Sequence, residues 1–197
     1  MTTFHFIRHG KRYRTMGDPG LMEDGRLQAT QTAQTFASQP IDAIFTSPLR
    51  RTAETATILG TILNIPVHTD PRLRERMNWG DVPDQALETF IDLWNRCSQD
   101  RTYTPPGGDS SQTAGRRLES FIHTTAQTYP SGTIIAVSHG GVIADFLRNV
   151  FSASQLGAVR QTFLANPYSG GVIPECSITT VVLTEEGYRL EQIGRTV

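Results

Sequence analysis

Lysine, cysteine and long apolar runs are all scarce in this chain. Lys11 is the single lysine, so the positive charge otherwise rests on arginine. Lysine and arginine together number 18 against 19 aspartates and glutamates, a formal net charge of −1. Without a basic excess, general binding to nucleic acid or to a membrane surface is not expected, because clustered positive charge recognises both. The two cysteines, Cys97 and Cys176, stand far apart and in no metal-type spacing. A disulfide framework is therefore not expected, and a reducing cytoplasm is the expected compartment. No stretch approaches the roughly 18 apolar residues of a membrane-spanning helix. The N-terminal apolar stretch is too short for a secretory signal and runs straight into charge.

What is present is a regular alternation of strand and helix signals. At 197 residues the chain suits one well-filled core, and no repeat, low-complexity tract or linker divides it, so a single domain over 1–197 is expected. FHFI, ahead of Arg8, is short, aromatic and β-branched and predicts a first strand. DGRLQATQTAQTFASQ predicts a helix with Leu27, Ala33 and Phe36 on one face. IDAIFTS predicts a buried strand, Pro48 the start of a helix through Leu63, and IPVHT a further strand. QALETFIDLWNRC spaces Leu87, Phe90, Ile91 and Trp94 as a helix does. TYTPPGGDS reads as a loop, with Asp109 or Ser110 capping a helix that ends near Tyr129 and Pro130. SGTIIAVS is the strongest strand signal, GVIADFLRNVF follows as a helix, and SITTVVLT and YRLEQIG form a hairpin across EEG. The expectation is a three-layer α/β fold: a mostly parallel sheet with helices on both faces and a late antiparallel hairpin.

In open parallel sheets ligands sit beyond the carboxyl ends of the strands. Those ends carry Arg8-His9-Gly10, then Ser47-Pro48-Leu49-Arg50-Arg51, then His139-Gly140-Gly141, with Glu75 shortly after IPVHT. Two histidines, several arginines and a carboxylate suit phosphoryl transfer. A guanidinium presents a planar fork of donors that matches phosphate oxygens and keeps its charge. Catalysis of this reaction is mainly positioning and electrostatics. A neutral imidazole among such charges is a competent nucleophile, and positive neighbours keep it unprotonated. A carboxylic acid must then protonate the leaving oxygen and later deprotonate water. No metal or other cofactor is needed for this scheme, and no carboxylate cluster suited to magnesium is apparent.

FIRHGK, TSPLRRTAETA, LRERMNWG, GGDS and VSHGG, in this order, resemble the histidine phosphatase superfamily, the phosphoglycerate-mutase-like group. One Arg-His-Gly triplet would say little, whereas five motifs in order across residues 4 to 141 are specific. The resemblance implies the phosphoglycerate-mutase-like fold and a phosphohistidine at His9. It implies that Arg8, Arg51 and His139 hold the phosphoryl group, with Gly140 N–H beside it, and that Glu75 is the proton donor. Substrate contacts would come from Arg8, Gly10, Lys11, Thr15, Arg51, His139 and Gly140. GLMEDGRLQA is similar to the family's GLTxxGxxQA. Lys11 stands where the family usually has Glu or Gln, Thr15 lies near the usual Asn, and GGDS replaces GGES.

The expected activity is a metal-independent phosphomonoester phosphatase. A phosphoglycerate-type mutase and a phospho-ligand binding module without catalysis are the alternatives. Small phosphorylated metabolites are the first substrate class, with phosphoprotein side chains the second. Plainer readings hold elsewhere. Arg50 is expected to be solvated, Arg117 to form a structural ion pair, and His5, His68 and His123 to be structural or surface residues. Trp79 and Trp94 are expected in packing, Trp79 near the site entrance. For Glu75 the plain alternative is an exposed ion pair with Arg74 or Arg76. Lys11, Arg12 and Arg14 are read either as a solvated basic loop or as a contact for a second anionic group.

Overall fold

The computed structural model describes residues 1–157 and 173–197. Among these residues six strands form one sheet in the order β3-β2-β4-β1-β5-β6. They are β1 (Thr2–Arg8), β2 (Ala43–Thr46), β3 (Val67–Thr69), β4 (Thr133–Ser138), β5 (Ile178–Thr184) and β6 (Gly187–Arg195). β3, β2, β4 and β1 are parallel; β5 runs antiparallel to β1, and β6 to β5. The expected architecture, late hairpin included, is what forms.

Strand alternation divides the core into two layers. Along β4, Ile134 and Ala136 enter one cluster while Ile135 and Val137 enter the other. The first cluster takes Phe4 and Phe6 and is covered by α4 (Ser111–Thr128) and α5 (Gly140–Val150) through Leu118, Phe121, Ile122 and Phe146. The second takes Ile7 and Ile44 and is covered by α1 (Glu23–Gln34) and α2 (Arg50–Leu63) through Ala29, Ala33, Ala56 and Leu59. Each fully buried large side chain contributes about 1.5–3 kcal/mol by leaving water. A third cluster of Met77, Phe90, Trp94 and Cys97 seats α3 (Leu87–Gln99). A short helix, α6 (Ala153–Leu156), follows α5.

Two local expectations are corrected. Leu27 is 59% exposed, and the buried face of α1 is Gly25, Ala29, Thr32 and Ala33. Small side chains there let α1 lie close against α2, and Phe36 is buried from the turn beyond the helix. Pro48 does not open α2, which begins at Arg50 after Leu49. Ser110, not Asp109, caps α4 by accepting the Thr113 N–H. Among the described residues no helix is long and apolar enough to cross a membrane.

Candidate active site

The order β2-β4-β1 sets three parallel strand ends side by side. Arg8 pairs with Ser138, and Thr46 and Ile7 with Val137, so the residues that follow each strand emerge at one level. His9 N–H donates to Ser138 O (3.0 Å), and Ser47 N–H donates to Val137 O (3.1 Å). The rings of His9 and His139 meet edge to face with centroids 5.3 Å apart. His139 Nε2 shares a hydrogen bond with Ser47 Oγ at 2.8 Å.

His9 has its tautomer chosen for it. Its Nδ1 lies 2.8 Å from Gly10 O, and a carbonyl can only accept, so Nδ1 carries the hydrogen. Nε2 is left as the lone-pair nitrogen. Gly10 is required here because a Cβ would stand 2.5 Å from Gly25 O. Its N–H donates to Thr55 Oγ1 (3.1 Å), tying the loop to α2.

Arg51 is 3% exposed, whereas the side chain of Arg50 is 64% exposed and pairs with Glu54. Arg51 Nη1 donates to Asn78 Oδ1 (3.2 Å) and lies 3.7 Å from Asp18 Oδ1. Arg8 Nη1 donates to Ile173 O (2.8 Å), and Nη2 lies 3.9 Å from Glu175. Arg51 Nε and His139 Nδ1 are buried with no hydrogen-bond partner among the described residues. Burial, then the guanidinium charges of Arg51 and Arg8, hold the His9 imidazole well below its ordinary value. The same causes, together with His9, act on His139. Burial and the nearby Arg12 push Arg51 down to about 10, which leaves it charged at neutral pH.

Glu75 is 8% exposed and is not the surface ion-pair partner of the plain reading. Arg74 pairs with Asp109, and Arg76 with Asp145. The Glu75 carboxylate lies across the start of α5. Oε1 accepts from Val142 N–H (2.8 Å) and Arg76 N–H (2.9 Å), and Oε2, among the described residues, from Gly141 N–H alone (3.0 Å). Oε2 therefore keeps more free lone-pair capacity for a proton. A helix N-terminus is a natural seat for a carboxylate. Gly141 is fitted to it, since a Cβ would stand 2.5 Å from Oε1. Gly140 packs against Arg8, its Cβ position 3.3 Å from Arg8 Cδ.

Lys11 turns to Asp24 at 2.7 Å, an exposed pair, while Thr15 is exposed. The field of Arg12 reaches Arg8, His9, Arg51 and His139, while that of Arg14 reaches Arg8 and Lys11. Trp79 is partly buried against the Met77 cluster and donates to Gln85 O. Sequence reasoning gave no role to Asn78, Ser47, Asp18, Thr55 or Glu175. Asn78, Ser47 and Thr55 lie inside quoted motifs, which was their only signal; Asp18 and Glu175 lie outside them.

A site with two neutral imidazoles, one buried and one half-buried guanidinium at adjacent strand ends and a carboxylate against the start of α5 can hold a tetrahedral oxyanion and move a proton on it. The chain belongs to the histidine phosphatase superfamily (branch 1), whose sequence model matches residues 4–196. Probable phosphoglycerate mutase GpmB of Yersinia pestis (strain Pestoides F) is 29% identical over 152 residues, 71% of this chain and 70% of that protein. The mycobacterial glucosyl-3-phosphoglycerate phosphatase structure is 26% identical, covers 99% of both chains and superposes with a TM-score of 0.74. Bacillus stearothermophilus YhfR, 22% identical, covers 100% of this chain and 98% of that one, with a TM-score of 0.77, and shares the fold.

Proposed function

We propose that the chain is a phosphomonoester phosphatase acting on a small phosphorylated metabolite through a phosphohistidine at His9. The observation that carries this reading is the His9 tautomer, with Nδ1–H given to Gly10 O and the ring held neutral by burial and two guanidinium groups. In the first step His9 Nε2 attacks phosphorus, and the N–P bond forms as the ester P–O bond breaks. Arg8, Arg51 and His139 hold the phosphoryl oxygens, whose charge is spread in the transition state. The leaving alkoxide takes the Glu75 proton. Water then attacks phosphorus, gives its proton to the Glu75 carboxylate, and displaces His9 as inorganic phosphate departs.

The phosphatase reading also has the glucosyl-3-phosphoglycerate phosphatase neighbour in its favour, similar over nearly the whole of both chains. The relative named as a probable phosphoglycerate mutase supports the alternative, in which a bound phosphorylated product takes the group back. A screen of phosphomonoesters with a chelator present, followed by trapping of acid-labile phosphoenzyme, tests the proposal. Inorganic phosphate released without a bisphosphorylated primer supports the phosphatase. Strict dependence on the primer turns the assignment to the mutase, and tight phosphate binding without turnover turns it to a binding module. His9→Ala is expected to abolish both turnover and phosphoenzyme with the far-UV spectrum unchanged.

A further inference from the structure

Glu75 stands on a stretch of chain with little regular structure of its own. It follows a 3-10 turn (Pro71–Leu73), and Arg74 is already extended. Its own backbone belongs to neither a ladder nor a helix, so beyond the α5 N–H groups its carboxylate accepts from, the side chain depends on its neighbours to meet the leaving oxygen at hydrogen-bond distance.

The next residue supplies what the backbone lacks. Arg76 is 2% exposed and Asp145 is 0% exposed. Arg76 Nη1 donates to Asp145 Oδ1 and Oδ2 at 3.0 and 3.1 Å, and Nη2 to Ser98 Oγ at 2.7 Å. The guanidinium lies 4.0 Å from the centre of the Trp94 ring. Ser111 Oγ donates to Asp145 Oδ1, so the acceptor is itself anchored to α4. Asp145 is one helical turn beyond Gly141, whose N–H holds Glu75 Oε2. The side chain of Arg76 and the carboxylate of Glu75 thus grip the same first turn and a half of α5. Trp94 joins the two, because it lies under the guanidinium and 2.7 Å from the Gly141 Cβ position.

We infer that the buried Arg76–Asp145 pair is a positioning device that locks the Glu75 carboxylate to the start of α5, in register with the leaving oxygen. The inference rests on Glu75 being the proton donor proposed above. A pair with only a packing role would be replaceable by apolar side chains of similar volume, a swap that buried ion pairs often tolerate in stability. A positioning pair would not be replaceable without loss of the protonation step.

The test is the double variant Arg76→Met/Asp145→Leu, compared with wild type on an alkyl phosphate and on an aryl phosphate whose leaving group needs no proton. The expected result is an unchanged far-UV spectrum and a kcat at least about tenfold lower on the alkyl ester. The aryl ester is expected within about twofold, and phosphoenzyme still forms from it. Glu75→Gln added to the double variant should cost less than it does alone, the sign of a shared function. Folded protein with wild-type alkyl turnover, or equal losses on both esters, overturns the inference. If the double variant does not fold, Asp145→Asn, which keeps the shape and removes the charge, is read by the same ratio and the same criteria. If Glu75→Gln alone shows no leaving-group dependence, the proton-donor reading fails instead, which separates the two ideas.

Discussion

Arg50 and Arg51 are adjacent in the chain and opposite in environment, one solvated on the surface and one buried beside two histidines. A helix turns about 100° per residue, so neighbours at its first turn must face different ways. Which of them faces the strand ends follows from where α2 packs, and Asn78 then fixes the buried one. Asn78 Oδ1 accepts from Arg51, while Nδ2 donates to Gly17 O at 2.8 Å, so this one amide joins the guanidinium to the 12–20 loop. Asn78→Ala is expected to weaken inhibition by inorganic phosphate several-fold with the fold intact, measured as a rise in the inhibition constant; an unchanged constant would detach Asn78 from phosphate binding. Gly141→Ala places a methyl group 2.5 Å from Glu75 Oε1 and 2.7 Å from Trp94. Its expected outcome is a fall of about tenfold or more in alkyl phosphate turnover, with aryl phosphate turnover much less affected. Steady-state assays on both esters check it.

Between elements, close approach of backbones decides more than side-chain chemistry. Gly10 and Gly25 touch at the point where the chain leaves β1 and enters α1. A Cβ on Gly25 would stand 2.1 Å from Lys11 O, and Lys11 O already accepts the Met22 N–H at 2.9 Å. Glycine to alanine within a helix ordinarily gains about 1 kcal/mol. Here the clash reverses the sign, and Gly25→Ala is expected to lose about 1–3 kcal/mol in denaturant unfolding. A gain would show that the β1–α1 connection has room to move. The segment before α4 is held by a different device. Arg117, expected as an ion-pair residue, does pair with Asp109 at 2.9 Å. It also donates to the carbonyls of Arg72 and Arg74, at 2.6 and 2.9 Å. One guanidinium therefore holds the backbone that leads to Glu75.

For the molecule as a whole, three histidines held below their ordinary value contribute to the response to acid. His5 is held at about 4, by burial first and then by Arg195, and lies 3.0 Å from Thr180 Oγ1. His9 and His139 also lie below the free value of 6.5. Below pH 6.5 the unfolded chain binds protons that the folded chain refuses, so the free energy of unfolding falls as pH falls. Above 6.5 both states are neutral at these groups and the contribution is constant. Each histidine adds a slope of up to about 1.4 kcal/mol per pH unit within its window. Urea unfolding at pH 7 and pH 5 should show the loss, and His5→Gln should make it smaller without changing turnover. An unaltered pH dependence in that variant would place the acid response elsewhere. In the proposed mechanism, the lowered His9 keeps its attacking nitrogen unprotonated below pH 6.5, so loss of turnover from protonation of His9 should set in only below the free imidazole value.

Periodicity and strand composition by themselves determined the alternation of elements, the parallel core and the late hairpin, because strand faces and helix stripes are local patterns. The ordered motifs also marked His9, Arg8, Arg51, His139 and Glu75 as one candidate set. What surrounds them follows from long-range packing. The adjacency of β2, β4 and β1 comes from a crossover, and no local signal specifies it. Leu27 looked like a core residue until packing selected the smaller face of α1. Two of the N–H groups that hold Glu75 come from residues 141 and 142, and the carboxylate that anchors Arg76 from residue 145, contacts made across more than 60 positions of chain. Burial is a property of the folded whole, and burial is what keeps His9 neutral beside two guanidinium groups.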